Sequence, residues 1–165
     1  TISDKIALKV LNENVKKFKI YQWKDRGSDE RQYCSPGIDL PIASVMRSKY
    51  GTYKEYHTSL DKIGTVMTKK GIADSLNIYK KIIKVIEKST FPTTTVLCEP
   101  YLSKRNLYPT LNLNYKKNFG RILLDILTWC DGKTPSFEIA KKLNISDQKL
   151  QKHIILLQKN KLLKI

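Results

Sequence analysis

The sequence has few of the residues on which metal and disulfide sites depend. Of its 165 residues, two are histidine and three are cysteine. Cys34, Cys98 and Cys130 are odd in number, widely spaced and without the CxxC pairing of cysteine zinc sites. This usage is typical of a reducing compartment. We therefore expect a cytoplasmic protein with neither a disulfide framework nor a cysteine metal site.

Long apolar runs are also missing. No stretch approaches the roughly 20 residues needed to span a bilayer, and residues 1–11 have the pattern of an amphipathic helix rather than of a signal peptide. No membrane partner is expected. With 41% hydrophobic residues, the chain can still bury the core of one medium domain or two small ones.

Arginine is scarce, although the formal net charge is +16. Five of the 31 basic residues are arginine, whereas base readout and phosphate recognition favour its planar guanidinium. Residues 1–92 carry 18 basic and 10 acidic side chains, and residues 93–165 carry 13 and 5, so each part has the same excess of +8. Charge therefore indicates a lysine-rich proteome more than a nucleic-acid partner.

Residues 1–92 have the pattern of an α/β domain. Ser3 can cap an amphipathic helix, residues 18–21 suggest a short strand, and the apolar run at residues 40–48 has the length of a strand buried on both faces. A long amphipathic helix follows, with an apolar stripe of Ile72, Leu76, Tyr79, Ile83 and Ile86. The alternation of helix and strand predicts an α/β fold.

A Ser/Thr/Pro-rich break at residues 89–95 leads into a second part, and we expect the domain boundary between residues 92 and 93. Helices are predicted at residues 119–133, 135–144 and 146–160, the last capped by Ser146. The last two predict a helix-turn-helix with the inward-facing residues Ile139, Ala140, Leu143, Ile145, Leu150, Ile154 and Leu157. With one terminal wing strand, residues 93–165 predict a small, mainly α winged-helix domain.

Two loops of the first part carry the candidate chemistry. Asp29 and Glu30 are adjacent acids in GSDERQYCSPG, a stretch expected to be neither helix nor strand, and His57 lies in the loop after the buried strand. Loops that follow parallel strands meet at one sheet edge, where an imidazole and carboxylates can hold a divalent metal such as zinc. Alternatively, the acids are solvated and His57 caps a helix that starts near Leu60.

GSDERQYCSPGIDLP, followed by MRSKYGTYKEYHTSLD, resembles the carboxyl-terminal half of zinc-dependent aminopeptidases and the related glutaminyl cyclases. It is most similar to aminopeptidase-like proteins often encoded near bacterial polysaccharide-biosynthesis genes. Their pattern is Ser-Asp-His, an aromatic residue, Gly-Ile, and later Tyr-His-Thr and Asp. The matching residues here are Ser28-Asp29-Glu30, Tyr33, Gly37-Ile38, Tyr56-His57-Thr58 and Asp61. Glu30 thus stands where the family has histidine.

The resemblance implies part of a doubly wound mixed sheet and a site for one or two zinc ions with His57 as a ligand. It also implies that Asp29 and Glu30 act catalytically on a peptide or aminoacyl substrate, which Tyr33 and Tyr56 would contact. The family's other metal ligands and its catalytic Glu precede this segment. We therefore expect a carboxyl-terminal fragment that is inactive without the missing amino-terminal half, and possible homo-oligomers.

CEPYLSKRNLYPTL at residues 98–111, with the helix-turn-helix after it, resembles the carboxyl-terminal winged-helix module of the same subgroup. If the module binds nucleic acid, its second helix would offer Gln148, Lys149, Gln151 and Lys152 to a groove. Winged helices also serve as packing or partner-docking modules, a role that we place ahead of DNA binding. An inert scaffold used in surface-glycan assembly is a third alternative.

Overall fold

The computed structural model describes residues 1–107 and 119–165, which divide into two compact units at residues 1–88 and 89–165. The helices of the first unit are α1 (Ile2–Asn14), α2 (Ser28–Tyr33) and α3 (Lys69–Lys88). The elements described in the second unit are β1 (Thr93–Thr94), α4 (Phe119–Thr128), α5 (Ser136–Lys142), α6 (Asp147–Lys159) and β2 (Leu163–Lys164). Short 3₁₀ helices lie at Trp23–Asp25 and Leu102–Arg105. The part of the chain that the structure describes is thus mainly helical.

In the first unit, α1 packs against α3. The apolar residues Ile6, Ala7 and Val10 recur at helical spacing and are buried. The helix begins after Thr1, whose hydroxyl accepts a hydrogen bond from the Asp4 amide at 3.3 Å. The cap predicted at Ser3 is therefore wrong, because Ser3 lies inside α1 and its hydroxyl donates to the Pro41 carbonyl.

The strands predicted in the first unit are not formed. Residues 18–21 and 40–48 have no ladder partner within residues 1–107 or 119–165. Instead, the Val45 carbonyl accepts a hydrogen bond from the Tyr79 hydroxyl at 2.5 Å. The sheet seen in the described residues is the antiparallel pair β1–β2, so a doubly wound sheet is not shown. A strand needs a neighbouring strand to pair with its N–H and C=O groups. The described part of the chain contains no such neighbour for residues 18–21 or for residues 40–48.

The second unit contains a continuous apolar core, and the helix-turn-helix predicted there is confirmed. Ile139, Ala140, Leu150, Ile154 and Leu157 are buried, as expected, and Leu143 and Ile145 pack partly buried against the same core. The Ser146 hydroxyl caps α6 by accepting a hydrogen bond from the Lys149 amide at 3.2 Å. The short turn between α5 and α6 brings both apolar faces to one core.

The first helix of this unit ends at Thr128, earlier than the predicted residue 133. Gly132 has a positive φ of 75°, and the Asp131 carboxylate accepts hydrogen bonds from the amides of Lys133 at 2.8 Å and Thr134 at 2.6 Å. These bonds form a turn in place of the helical hydrogen-bond pattern, so the helix does not continue through residues 131–134. The turn delivers the chain to Pro135, which immediately precedes α5.

Residues 89–92 belong structurally to the second unit. The Ser136 amide donates to the Thr90 carbonyl at 2.8 Å, and the Gly132 amide donates to the Pro92 carbonyl at 3.1 Å. The terminal segment predicted as a wing strand forms β2, which pairs with β1 directly after this linker. The division between the units therefore falls after residue 88, whereas the sequence composition predicts it after residue 92. Residues 108–111 of the CEPYLSKRNLYPTL motif lie outside the described residues.

Candidate functional site

The stretch GSDERQYCSPG contains helix α2, contrary to the expectation of irregular structure. The helix starts after Gly27, and Asp29 and Glu30 lie in its first turn, where carboxylates interact favourably with the positive end of a helix. A Cβ atom at Gly27 would lie 3.0 Å from the Tyr50 hydroxyl, so a larger residue there would require the Tyr50 ring to shift by a few tenths of an ångström. Gly37, with a φ of 91°, permits the chain reversal after the helix.

Two tyrosines hold carboxylates of this region. The Tyr50 hydroxyl donates to Oε1 of Glu30 at 2.9 Å, and the Tyr53 hydroxyl donates to Oδ2 of Asp61 at 3.0 Å. Desolvation, together with these bonds to carboxylates, raises the pKa of Tyr50 and of Tyr53 above the usual value of 10.0. Both phenols therefore stay protonated donors at neutral pH and orient the carboxylates that accept from them.

Tyr56 connects this arrangement to the histidine. Its ring centroid lies 6.5 Å from that of Tyr50 and 5.6 Å from that of Tyr53. It stacks on the His57 imidazole at 4.0 Å with an interplanar angle of 15°. His57 is exposed and has a φ of 60°, in the left-handed region. A continuous series of side-chain contacts thus runs from Glu30 through Tyr50 and Tyr56 to His57.

The predicted site residues differ in how far the structure brings them together. Glu30 is half-buried and bonded into the segment that carries Tyr56 and His57. Asp29 is exposed, and Tyr33, predicted to contact substrate, is 50% exposed at the end of α2. Within residues 1–107 and 119–165, no three His, Cys, Asp or Glu side chains lie close enough to hold a metal ion. The catalytic, substrate and metal roles of these residues stay predictions.

Tyr50 and Tyr53 are the site residues that sequence interpretation missed. The signal was present, because tyrosines recur every third residue in KYGTYKEYH. Successive backbone bonds from Thr52 to Lys49, Tyr56 to Tyr53 and Thr58 to Glu55 wind the segment in turns of this length. A side chain repeated every third residue returns to the same side of such turns, which is how the three rings come into contact.

The second unit presents a polar surface on α6. Gln148, Lys149 and Lys152 are exposed, while Gln151 is half-buried. Near the end of α5, the Lys142 ammonium lies 3.8 Å from the centroid of the Trp129 ring, a cation–π contact within the unit. His153 packs edge to face on Phe119 with centroids 5.9 Å apart. Burial and the charge of Lys149 lower the pKa of His153, and its contact with Phe119 indicates a packing role.

A membrane-crossing segment is not found among the helices described, none of which combines the required length and apolar character.

Comparison with known proteins assigns both units to families. Residues 89–165 match the winged helix-turn-helix family model, in agreement with the α5–α6 arrangement. Residues 1–89 match the family described as a domain of unknown function, DUF4910. Because that match covers more than half of the sequence, the chain belongs to the DUF4910 family.

Relatives from Clostridium acetobutylicum extend over both units. One protein is 36% identical over 164 residues and is provisionally named a polysaccharide biosynthesis protein with an aminopeptidase-like domain. A crystal structure from the same organism, provisionally named a peptidase, is 34% identical with a TM-score of 0.58. Each match covers 98% of this chain, but only 37% of the first relative and 35% of the second. The chain therefore spans little more than a third of their length.

Proposed function

We propose that this chain contributes part of an aminopeptidase-like hydrolase, with His57 as a zinc ligand and Asp29 and Glu30 in the site for a peptide or aminoacyl substrate. The observation that carries this proposal is the contact series in which Tyr50 holds Glu30 beside the stacked pair Tyr56–His57. The provisional names of the two relatives support the reaction class. Tyr33 and Tyr56 are the proposed substrate contacts.

The zinc part of the proposal requires ligands beyond those described here. A neutral imidazole is a common zinc ligand, yet residues 1–107 and 119–165 contain no set of three candidate side chains that could hold a metal ion. Affinity for zinc comes from three or four preformed ligands. We therefore propose that His57 acts together with ligands from further polypeptide, and that residues 1–165 alone bind zinc weakly and are inactive.

The acids have a separate role in this proposal. A carboxylate accepts charge-assisted hydrogen bonds from an ammonium group, and an aminopeptidase substrate presents one at its terminus. Tyr50 donates to Oε1 of Glu30, and Oε2 of the same carboxylate is the proposed acceptor for the substrate ammonium. Tyr50 is thus a positioning residue, and Glu30 is the side chain that would touch substrate.

Two further expectations belong to the same proposal. In a complete aminopeptidase-like domain, residues 18–21 and 40–48 would join a doubly wound mixed sheet, whose other strands would satisfy their backbone groups. The proposed compartment is the cytoplasm, because three widely spaced cysteines are typical of a reducing compartment.

The test is to measure zinc content and aminopeptidase turnover of the full natural protein and of its His57→Ala variant. His153→Ala is the matched control, since it removes the other histidine of this sequence from a packing position in the second unit. We expect His57→Ala to lose zinc and turnover and His153→Ala to retain both. Unchanged zinc and turnover after His57→Ala would refute the ligand assignment. A wild-type protein without zinc or turnover would indicate an inert scaffold.

A second candidate function concerns the winged helix, where we propose partner docking first and nucleic-acid binding second. The observation that keeps nucleic acid in consideration is the exposure of Gln148, Lys149 and Lys152, with Gln151 beside them, on α6. Binding to random duplex should be titrated with salt for the wild type, for Lys149→Ala/Lys152→Ala and for a Lys69→Ala/Lys70→Ala control. A steep loss of affinity with salt that the α6 variant reduces would support phosphate contact. No binding at low salt would remove the nucleic-acid hypothesis.

A further inference from the structure

The long helix α3 exposes the apolar face that amphipathic helices normally bury. The exposed fraction is 43% for Ile72, 52% for Leu76, 43% for Tyr79, 52% for Ile83 and 50% for Ile86. We call these five residues the α3 stripe. They recur at spacings of four and three residues and so form one continuous face about four turns long.

This face is distinct from the surface that α3 uses within the first unit. Helix α3 packs with α1, and its half-buried residues form a row beside the stripe, which consists of Ser75, Ile78, Ile82 and Val85. Most lysines of α3 lie on a third side, where Lys81 donates to Asn14. The side chains of the α3 stripe therefore remain about half exposed after the internal packing of residues 1–88 is complete.

The apolar surface continues beyond the helix. The Tyr79 hydroxyl bonds the Val45 carbonyl, and the Arg47 guanidinium lies 3.4 Å from the Asp74 carboxylate, so the segment that ends at Arg47 runs beside α3. That segment exposes further large side chains, at 62% for Ile38, 44% for Leu40 and 44% for Met46. Large apolar side chains exposed on neighbouring segments indicate an interaction site.

The first unit buries little hydrophobic surface by itself. Among the described side chains of residues 1–88, the buried hydrophobic ones are Ile6, Ala7, Val10 and Cys34. The extended core lies in the second unit, whose fully enclosed residues include Leu123, Ile126 and Leu162. The first unit thus has few buried hydrophobic side chains, while the α3 stripe keeps five large ones about half exposed.

We propose that the α3 stripe and the adjoining residues 38–46 form the docking surface for a further segment of the same aminopeptidase-like domain, one with an apolar face. This inference rests on the proposed function. The occupant follows from the comparisons, because the relatives that match 98% of this chain are each almost three times its length.

The experiment uses the part of the C. acetobutylicum relative that lies outside its match to this chain. That polypeptide is coexpressed with tagged residues 1–165, and the captured fraction is measured for three forms. The stripe variant is Leu76→Asp/Ile83→Asp, and the matched control is Ala73→Asp/Asn77→Asp, which adds the same two charges to exposed positions outside the stripe. Circular dichroism of each form checks that the helices persist.

We expect wild type and control to capture the relative's segment equally, and the stripe variant to capture at least tenfold less. Absence of capture by the wild type, or equal capture by all three forms, would overturn the proposal. So would a stripe-dependent dimer of residues 1–165 in sedimentation, or stripe-dependent binding to phosphatidylglycerol vesicles. We also expect His57→Ala to be captured like the wild type, since His57 lies outside the proposed docking surface. If capture is normal but His57→Ala leaves the zinc content of the full natural protein unchanged, the zinc proposal fails and the docking proposal stands.

Discussion

The two adjacent isoleucines of α6 allow a direct test of where the energy of the second unit lies. Ile154 is 0% exposed and Ile155 is 51% exposed, and both occupy the interior of the same helix. Replacing each with alanine makes the same chemical change at nearly the same distance from the helix ends. The difference in unfolding free energy between the variants therefore reports burial alone.

The magnitudes follow from the atoms removed. Isoleucine to alanine deletes three carbon groups, worth about 2.4 kcal/mol in transfer free energy at about 0.8 kcal/mol each when fully buried. A residual cavity adds to this cost and the higher helix propensity of alanine offsets about 0.4 kcal/mol, so we expect Ile154→Ala to cost about 3 kcal/mol. At Ile155 about half of the transfer term is lost, no cavity forms, and the higher helix propensity of alanine offsets about 0.4 kcal/mol. We expect less than about 1 kcal/mol there.

Denaturant unfolding followed by Trp129 fluorescence measures both values, in a Trp23→Phe background so that the signal comes from the second unit. In thermal unfolding, about 3 kcal/mol corresponds to a midpoint lowered by about 12–24 °C for a unit of this size. Equal shifts for Ile154→Ala and Ile155→Ala would refute the burial argument. Ile83→Ala, at 52% exposure on the α3 stripe, should cost the first unit less than about 1 kcal/mol until a partner covers it, as measured by denaturant unfolding with Trp23 retained.

The other predictions concern ionisable groups. Because the folded-state pKa values of Tyr50 and Tyr53 are raised above 10.0, their stabilisation should be complete below that pH and lost as pH rises through the folded values. Denaturation of the first unit against pH should show this loss, and Tyr50→Phe/Tyr53→Phe should flatten it; an unchanged profile would contradict the assignment. The lowered pKa of His153 predicts stability present above about pH 6.5 and lost as pH falls through the folded value, and His153→Gln should abolish that loss in the Trp129 signal. Burial and the charge of Asp131 raise the pKa of Cys130 to about 12, so Ellman's reagent at about pH 8 should modify exposed Cys98 rapidly and spare buried Cys34 and Cys130. Cys98→Ser should remove the rapid phase; a rapid phase that persists would show that a buried thiol is accessible.

Local sequence signals sufficed for α3, α5 and α6, whereas the helix predicted at residues 119–133 ends at Thr128. Ser146 before an apolar row at helical spacing predicted α6 with its cap, and both are present. The inward-facing residues of the helix-turn-helix were predicted as well, because α5 and α6 find their partners in each other across a short turn. The resemblance of their motifs to the aminopeptidase-like family also identified Glu30 and His57 as candidate site residues.

Contacts between residues far apart in the sequence could not be predicted from such local signals. The apolar run at residues 40–48 reads as a strand, yet strand formation depends on a neighbour that the described residues lack. In the same way, the bond from Tyr50 to Glu30 joins residues 20 positions apart and follows from how α2 and the tyrosine turns meet.

The sequence by itself determined the long amphipathic helices and the Ser146 cap of α6, since each depends on residues within one or two helical turns. The tertiary structure decided which faces are buried, that α2 is helical, and that Glu30, Tyr50, Tyr56 and His57 form one series of contacts. Burial and pairing require partners from elsewhere in the chain, and periodicity identifies a face without identifying what covers it.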